Sequence, residues 1–234
     1  MSSLIGTRQP APADPGPPEL PHDQPAAARP RRRRATVVVG VVLVAALVGA
    51  GLWIWLRPTP VAPGIMFVGD SVTVMSAPEL IQQIGNRHPA VLARVGYRST
   101  DLLPLFAQAV AHRERDHEPM QQVAVLVGYN DVLRNQVESP ALDSMMALSN
   151  RFGCAVWLTL PAVPVHERFT DRWNQRVIAL ARSYRHVHVV DDWREAVMSA
   201  RIGILVNTRD GVHPTPLGAQ RLVEIYTNAI HRVC

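Results

Sequence analysis

Short apolar runs alternate with helical patterns from residue 65 to the end of the chain. Buried parallel strands read as short, continuous apolar runs that end at turn residues, and five such runs occur, at 65–68, 90–95, 123–127, 154–160 and 187–190. Helical patterns separate or follow them, at 76–84, 99–112, 139–151, 173–184 and 215–233. This alternation predicts an α/β domain with a parallel five-stranded sheet and helices on both faces.

The first strand leads directly into Gly69-Asp70-Ser71. Glycine allows a tight exit from a strand, and open α/β sheets place their ligand crevices just beyond the carboxyl ends of their strands. Ser71 is therefore a candidate nucleophile. The alternative is that Ser71 only caps the helix that follows, which is a common role of serine.

An uncharged segment of 22 residues, 35–56, precedes this domain. A helix of that length reaches about 33 Å, enough to cross a bilayer core of about 30 Å. Four arginines at 31–34 stand before it, so the positive-inside rule predicts a cytoplasmic N-terminus and an extracytoplasmic domain. We expect an uncleaved, single-pass signal anchor in the cell membrane. A cleaved signal peptide is the alternative, although its apolar region is usually about 7–15 residues long.

The segments around the predicted span differ in composition. Residues 1–34 hold eight prolines and the arginine cluster, which is typical of a disordered tail, and the proline-rich stretch 57–64 predicts a stiff linker before a domain at 65–234. Six of the 24 basic and three of the 19 acidic residues precede residue 57, so residues 57–234 contain 18 arginines and 16 acidic residues. This near-neutral balance argues against a nucleic-acid partner.

The loop before the last helix contains Asp210-Gly211-Val212-His213. Nucleophilic acyl transfer requires a serine, a base within hydrogen-bond reach, an acid that orients the base, and donors aimed at the oxyanion. His213 is the candidate base, and Asp210, three residues earlier, can turn back and orient its imidazole. The alternative for His213 is a solvent-exposed loop histidine.

Candidate oxyanion donors follow the first three strands. Gly96 comes after the second strand, where a glycine lets the backbone approach a ligand closely. Asn130 comes after the third strand and can donate from its amide. With the Ser71 amide these groups would form an oxyanion hole. The alternatives are an ordinary turn glycine and a helix cap at Asn130-Asp131.

Four blocks of the sequence resemble, in the same order, those of the SGNH, or GDSL-type, hydrolase superfamily: Gly69-Asp70-Ser71, Gly96, Gly128-Tyr129-Asn130-Asp131 and Asp210-Gly211-Val212-His213. The resemblance covers residue 65 to the C-terminus. It implies a three-layer, flavodoxin-like fold, a triad of Ser71, Asp210 and His213, and an oxyanion hole of Ser71, Gly96 and Asn130.

A narrower resemblance rests on Gly-Asp-Ser-Val, Asp192-Trp193 and Asp-Gly-Val-His-Pro-Thr. These segments are similar to the extracytoplasmic SGNH domains that are fused to bacterial acyltransferase-3 membrane proteins. Because only one span is predicted here, a donor-channelling acyltransferase partner would have to be a separate chain.

Three functions fit this pattern. The first is an ester hydrolase that acts outside the membrane on an acylated envelope glycan or lipid. The second is an O-acyltransferase, in which a sugar hydroxyl replaces water, since both reactions begin with attack by Ser71. The third is a membrane-tethered, non-catalytic binding module, against which the intact site residues argue. We expect no metal and no cofactor, because no histidine has a metal-ligand spacing such as H-E-x-x-H.

The two cysteines, Cys154 and Cys234, are expected to form a disulfide, because the domain is predicted to face an oxidising compartment. Cys154 begins the fourth strand, at the end of the sheet opposite the candidate active site. The last helix starts at the active-site end and runs back, which would bring Cys234 to the same end as Cys154. The alternative is a buried free Cys154 and an exposed Cys234.

Overall fold

The structure, a computed structural model, describes residues 64–87, 89–201 and 203–234. The predicted tail at 1–34, the predicted membrane anchor at 35–56 and the linker up to residue 63 lie outside the described residues. Within the three described ranges, no helix is both long enough and apolar enough to cross a bilayer.

Five parallel strands form one sheet, which confirms the prediction from the apolar runs. They are β1 (Ile65–Gly69), β2 (Ala90–Ala93), β3 (Gln122–Leu126), β4 (Cys154–Leu158) and β5 (Val187–Val190). The order across the sheet is β2-β1-β3-β4-β5, and every neighbouring pair is parallel. Because β1 lies between β2 and β3, the loops that leave these three strands emerge side by side at the carboxyl edge, where such sheets bind ligands.

The helices form two layers, one on each face of the sheet. The α-helices in the described part of the chain are α1 (Ser71–Ile84), α2 (Ser99–Arg115), α3 (Tyr129–Leu133), α4 (Ala141–Ser149), α5 (Glu167–Ala181), α6 (Asp192–Ser199) and α7 (Pro216–Val233). In one layer α7 contacts both α1 and α6, and in the other α4 contacts α2 and α5 while α5 also contacts α3. This three-layer α/β arrangement is the predicted fold class.

The sheet is buried between these layers. Every residue of β1 and β4 is buried, as expected for parallel strands covered on both faces. The rings of Phe67 in β1 and Tyr226 in α7 meet edge to face with their centroids 5.2 Å apart. This contact is part of the core that seats α7 against the strand from which Ser71 emerges.

Some element bounds differ from the sequence-based expectation. Helix α1 begins at Ser71 rather than at residue 76, because the side chain of Asp70 caps it by accepting a hydrogen bond from the Val72 N–H at 3.1 Å. Asp70, and not Ser71, is therefore the capping residue. Helices α3 and α6, of five and eight residues, were not expected, since such short segments show little helical periodicity.

A disulfide joins Cys154, the first residue of β4, to Cys234, which follows α7. The two Cα atoms are 5.7 Å apart, and the residues are separated by 80 positions in the sequence. Helix α7 begins just after His213 and returns the chain to the opposite edge of the sheet. The disulfide therefore fastens the far end of the helix whose start carries the candidate base.

We expect Cys234→Ser to lower the free energy of unfolding by up to about 4–5 kcal/mol, because opening a closed loop of about 80 residues returns chain entropy to the unfolded state. Urea unfolding of the variant and of the wild type, with and without reductant, measures the loss. Thiol titration of the denatured, unreduced wild type should find no free thiol. Two free thiols per chain would contradict the disulfide.

Candidate active site

Ser71 is placed at the exit of β1 by close packing. A Cβ atom on Gly69 would lie 2.0 Å from the Thr73 Oγ1 and 2.7 Å from the Leu126 carbonyl oxygen, so only glycine fits between α1 and β3. Gly69 is not among the glycines with positive φ. The glycine is thus needed for a close approach of two elements, and not for the tight turn expected from the sequence.

The structure brings Ser71, His213 and Asp210 together in one hydrogen-bonded chain. His213 Nε2 lies 2.9 Å from Ser71 Oγ, and His213 Nδ1 lies 2.9 Å from Asp210 Oδ2. An ionised carboxylate can only accept, so the Nδ1 carries the proton and the Nε2 is left to accept from the serine hydroxyl. This is the arrangement that general-base activation of a serine requires.

Asp210 shapes the loop as well as facing the imidazole. Its Oδ1 accepts hydrogen bonds from the backbone N–H groups of Val212 at 2.8 Å and His213 at 2.9 Å, and the Asn207 N–H donates to the His213 carbonyl oxygen at 2.8 Å. Burial by itself raises the pKa of Asp210, but the hydrogen bonds from His213 and from the two backbone amides outweigh burial and hold the pKa below its ordinary value. Asp210 is therefore ionised at neutral pH.

The candidate oxyanion donors lie on the segments that flank Ser71. Asn130 Nδ2 donates to the Tyr97 carbonyl oxygen at 3.0 Å, which ties the first turn of α3 to the loop after β2 and leaves the second Nδ2 hydrogen available. Gly96 precedes Tyr97 and has a φ of 76°, a conformation that favours glycine. The Ser71 N–H is the first amide of α1 and has no acceptor within the helix.

Asp131 holds the short helix α3 that carries Asn130. Its Oδ2 accepts from the Ser99 N–H at 2.9 Å, its Oδ1 accepts from the Ser99 hydroxyl at 2.7 Å, and the hydroxyls of Ser99 and Ser139 lie 2.8 Å apart. Burial raises the pKa of Asp131, and the hydrogen bonds from Ser99 oppose that rise. This buried network fixes the residue next to the Asn130 amide.

A second buried acid, Asp70, adjoins the candidate nucleophile. Within the described ranges its Oδ2, the Thr73 Oγ1 and the Tyr226 hydroxyl are all buried without a hydrogen-bond partner. The pKa of Asp70 is raised to about 7: burial raises it most, the hydrogen bond from the Val72 N–H lowers it, and the negative charge of Asp131 raises it. Asp70 in turn adds to the effect of burial in raising the pKa of Tyr226. The carboxyl is thus held in its protonated form over much of the range below neutrality.

One group of potential metal ligands lies away from the triad. His112, Asp116 and Glu118 place one ligand atom each within 4.8 Å of one another. All three residues are exposed and lie at or beyond the C-terminal end of α2, toward the sheet edge opposite Ser71. Exposed groups of this kind are common without an ion, and we assign them no role.

Similarity to known proteins is found at the level of structure. No protein-family model matches the sequence, and no curated protein matches it significantly. A GDSL-like lipase from Bacteroides thetaiotaomicron is 21% identical, with 76% of this chain and 92% of that chain covered and a TM-score of 0.56. A member of the lipolytic protein G-D-S-L family from Veillonella parvula is 15% identical, with 73% and 100% covered and a TM-score of 0.58. The fold is that of the SGNH hydrolases.

A third SGNH-type structure is named as a transferase and not as a lipase. The C-terminal catalytic domain of peptidoglycan O-acetyltransferase A from Streptococcus pneumoniae, solved with a methylsulfonyl adduct, is 14% identical to this chain. The match covers 74% of this chain and 95% of that domain, with a TM-score of 0.57. The SGNH resemblance read from the sequence motifs is thereby confirmed as a likeness of fold.

The SGNH fold brings the residues of the sequence motifs to one edge of the sheet. Ser71, Asp210 and His213 are hydrogen-bonded in series, and Asn130 reaches the residue after Gly96. The buried acids and their partners were not expected from the sequence. Asp70 and Asp131 stand inside the sequence motifs quoted above, which was an available signal for them. Tyr226, near the middle of α7, belongs to no motif, and no signal in the sequence pointed to it.

We expect Asp70→Asn to remove a pH dependence of stability. Between the ordinary carboxyl pKa of 3.8 and the folded value of about 7, the folded protein holds a proton that the unfolded chain has released. The free energy of unfolding of the wild type therefore falls as pH rises through this window and levels off above it. Asparagine keeps an oxygen for the Val72 cap and carries no charge, so the variant should be more stable than the wild type at pH 8.

Urea unfolding of both proteins at pH 4.5, 6 and 8 measures the effect, because all other groups titrate alike in the two chains. The difference in the free energy of unfolding should grow with pH in favour of the variant. Parallel pH curves for the two proteins would contradict the assignment of a raised pKa to Asp70.

Proposed function

We propose that the chain is a serine ester hydrolase that works through an acyl-enzyme. The observation that carries the proposal is the series of contacts from Ser71 Oγ to His213 and from His213 to Asp210, each 2.9 Å long. The series lies at the carboxyl edge of an SGNH-type sheet, beside amide donors on two neighbouring loops. A nucleophile, a base, an orienting acid and oxyanion donors are the parts that acyl transfer needs.

In the first half-reaction, Ser71 Oγ attacks the ester carbonyl carbon as its proton passes to His213 Nε2. The carbonyl oxygen becomes an oxyanion and accepts hydrogen bonds from the Ser71 and Gly96 N–H groups and from Asn130 Nδ2. The bond to the alcohol oxygen then breaks, and the alcohol leaves with the proton from His213. Asp210 stays ionised and stabilises the imidazolium.

In the second half-reaction, water attacks the acyl carbon while His213 takes its proton. The bond to Ser71 Oγ breaks, the serine recovers the proton from His213, and a carboxylic acid is released. The substrate that we propose is an acylated glycan or lipid of the cell envelope.

O-acyl transfer is the second candidate function, and the likeness of fold to a peptidoglycan O-acetyltransferase domain favours it. A sugar hydroxyl would then replace water in the second half-reaction, and the rest of the chemistry would stay the same. The acyl donor would be delivered by a separate membrane acyltransferase.

We also propose that residues 35–56 anchor the domain to the membrane with the N-terminus in the cytoplasm. The support is the uncharged run and the arginines at 31–34 before it. A reporter that is active only outside the cytoplasm, fused after Cys234, should be active. A silent reporter, together with an active cytoplasmic one in the same position, would contradict this topology.

Ser71→Ala should reduce kcat for ester hydrolysis by about 10⁴–10⁶-fold, the usual scale for loss of a triad serine, because no other group in the proposed site can form the acyl-enzyme. The measurement uses a panel of chromogenic acyl esters of different chain length, with and without carbohydrate acceptors. Ser183→Ala, which changes an exposed serine after α5, is the matched control.

Release of free acid supports hydrolysis, and acylated acceptor formed in competition with it supports transfer. Equal rates for the Ser71→Ala variant and the wild type would contradict the triad. A wild type with no turnover on any ester would favour the non-catalytic binding module.

A further inference from the structure

A cavity of about 360 Å³ is lined by Asp131, the residue after the candidate oxyanion donor Asn130. This size falls within the range of about 300–1,000 Å³ that is usual for ligand pockets. The side chains that line it include Arg98, Thr100, Asn135, Gln136, Glu138 and Ser139. The proposed reaction gives none of these residues a role.

The cavity begins where the two loops beside Ser71 meet. Asn130 Nδ2 donates to the Tyr97 carbonyl oxygen, and the next residue on each loop, Asp131 and Arg98, lines the cavity. The cavity is therefore one residue removed, on each of these two segments, from the hydrogen bond that positions the candidate oxyanion donor.

The charged side chains that line the cavity already have partners, and Asp131 among them accepts hydrogen bonds from Ser99. Arg98 donates to both carboxyl oxygens of Asp101, at 3.0 and 3.1 Å. Glu138 accepts from Arg172 at 2.8 Å and from Arg176 at 2.6 Å. A charged ligand would have to displace these partners, so the cavity suits a ligand without net charge.

The groups left free are neutral hydrogen-bonding groups. Gln136 Oε1 accepts from Arg98 Nη1 at 2.7 Å, and Asn135 Oδ1 lies 3.3 Å from His166 Nδ1. Among residues 64–87, 89–201 and 203–234, the side-chain nitrogens of these two amides and the Thr100 hydroxyl have no partner. An apolar acyl chain would leave such groups unsatisfied on burial, whereas hydroxyl groups would pair with them.

We propose that this cavity binds the alcohol half of the ester and that this half is a neutral sugar. The inference rests on the proposed function, because it assigns one side of the scissile ester to the cavity. The acyl group then lies on the other side of the Asn130–Tyr97 hydrogen bond. Gln136, Asn135 and Thr100 are specificity-determining residues that act on the sugar hydroxyls.

The test compares two acetate esters, methyl 6-O-acetyl-glucoside and an aryl acetate, on the full chain. Both deliver the same acetyl group, so the ratio of their kcat/KM values reports the alcohol half alone. Gln136→Ala and Thr100→Val should each lower this ratio, sugar over aryl, by about 3–10-fold, the scale of one neutral hydrogen bond. Both residues are exposed, and two independent variants guard against misfolding of either.

Gln121→Ala is the matched control, since Gln121 is an exposed glutamine before β3, at the opposite edge of the sheet. Its ratio should equal that of the wild type. A kcat/KM ratio that changes less than twofold in both test variants would overturn the sugar assignment. So would test variants that leave this ratio unchanged and shift the preference for acyl chain length.

A binding measurement separates this inference from the proposed function. Saturation-transfer NMR of the Ser71→Ala protein with a trisaccharide of N-acetylglucosamine should show contact that Gln136→Ala, in the same background, weakens. Binding of that kind without ester turnover in the wild type would support the cavity and contradict the hydrolase. Ester turnover that depends on Ser71, with neither sugar binding nor a changed kcat/KM ratio, would support the hydrolase and contradict the sugar assignment of the cavity.

Discussion

The hydrogen bond between His213 Nε2 and Ser71 Oγ joins residues that are 142 positions apart, and the candidate site depends on it. Its two ends are fixed by different parts of the fold. Ser71 is placed by β1 and by the first turn of α1, where Gly69 allows close contact with β3. His213 is placed by a loop that Asp210 closes, at the start of α7. The bond therefore forms only when α7 is seated against β1.

The packing of α7 accordingly bears on function as well as stability. The edge-to-face contact of Tyr226 with Phe67 belongs to the core between α7 and β1, and the disulfide holds the other end of the helix to β4. The buried carboxyl of Asp70 adjoins this contact and Ser71. Burial disfavours the charged form of Asp70, which is the main cause of its raised pKa.

Much of this arrangement could be predicted from the sequence, because it follows from short-range patterns. Apolar runs predicted the strands, and the topology of a parallel sheet brings residues that follow strand ends to one edge. Ser71 and Asn130 stand at such positions, whereas the Asp210 loop follows α6 and precedes α7. The spacing of Asp210 and His213 was informative because a carboxylate three residues before a histidine can turn back to accept from the backbone of that turn and face the imidazole.

The remaining features depend on contacts that no local pattern encodes. The role of Gly69 arises from the approach of Thr73 and the β3 backbone, and Asp70 raises the pKa of a tyrosine that lies more than 150 residues later in the chain. In the lining of the cavity, Arg98 pairs with Asp101 on α2, and Glu138 pairs with two arginines on α5. Short helices such as α3 contain too few residues for the hydrophobic period of a helix to be recognised in the sequence.

Activation of Ser71 by His213 can be measured by covalent labelling with a sulfonyl fluoride, followed by mass spectrometry of the digested protein. We expect one sulfonyl adduct, on Ser71, that forms rapidly in the wild type and at least about 100-fold more slowly in His213→Ala, since loss of the base removes general-base assistance. Labelling at another residue, or equal rates in the two proteins, would contradict it.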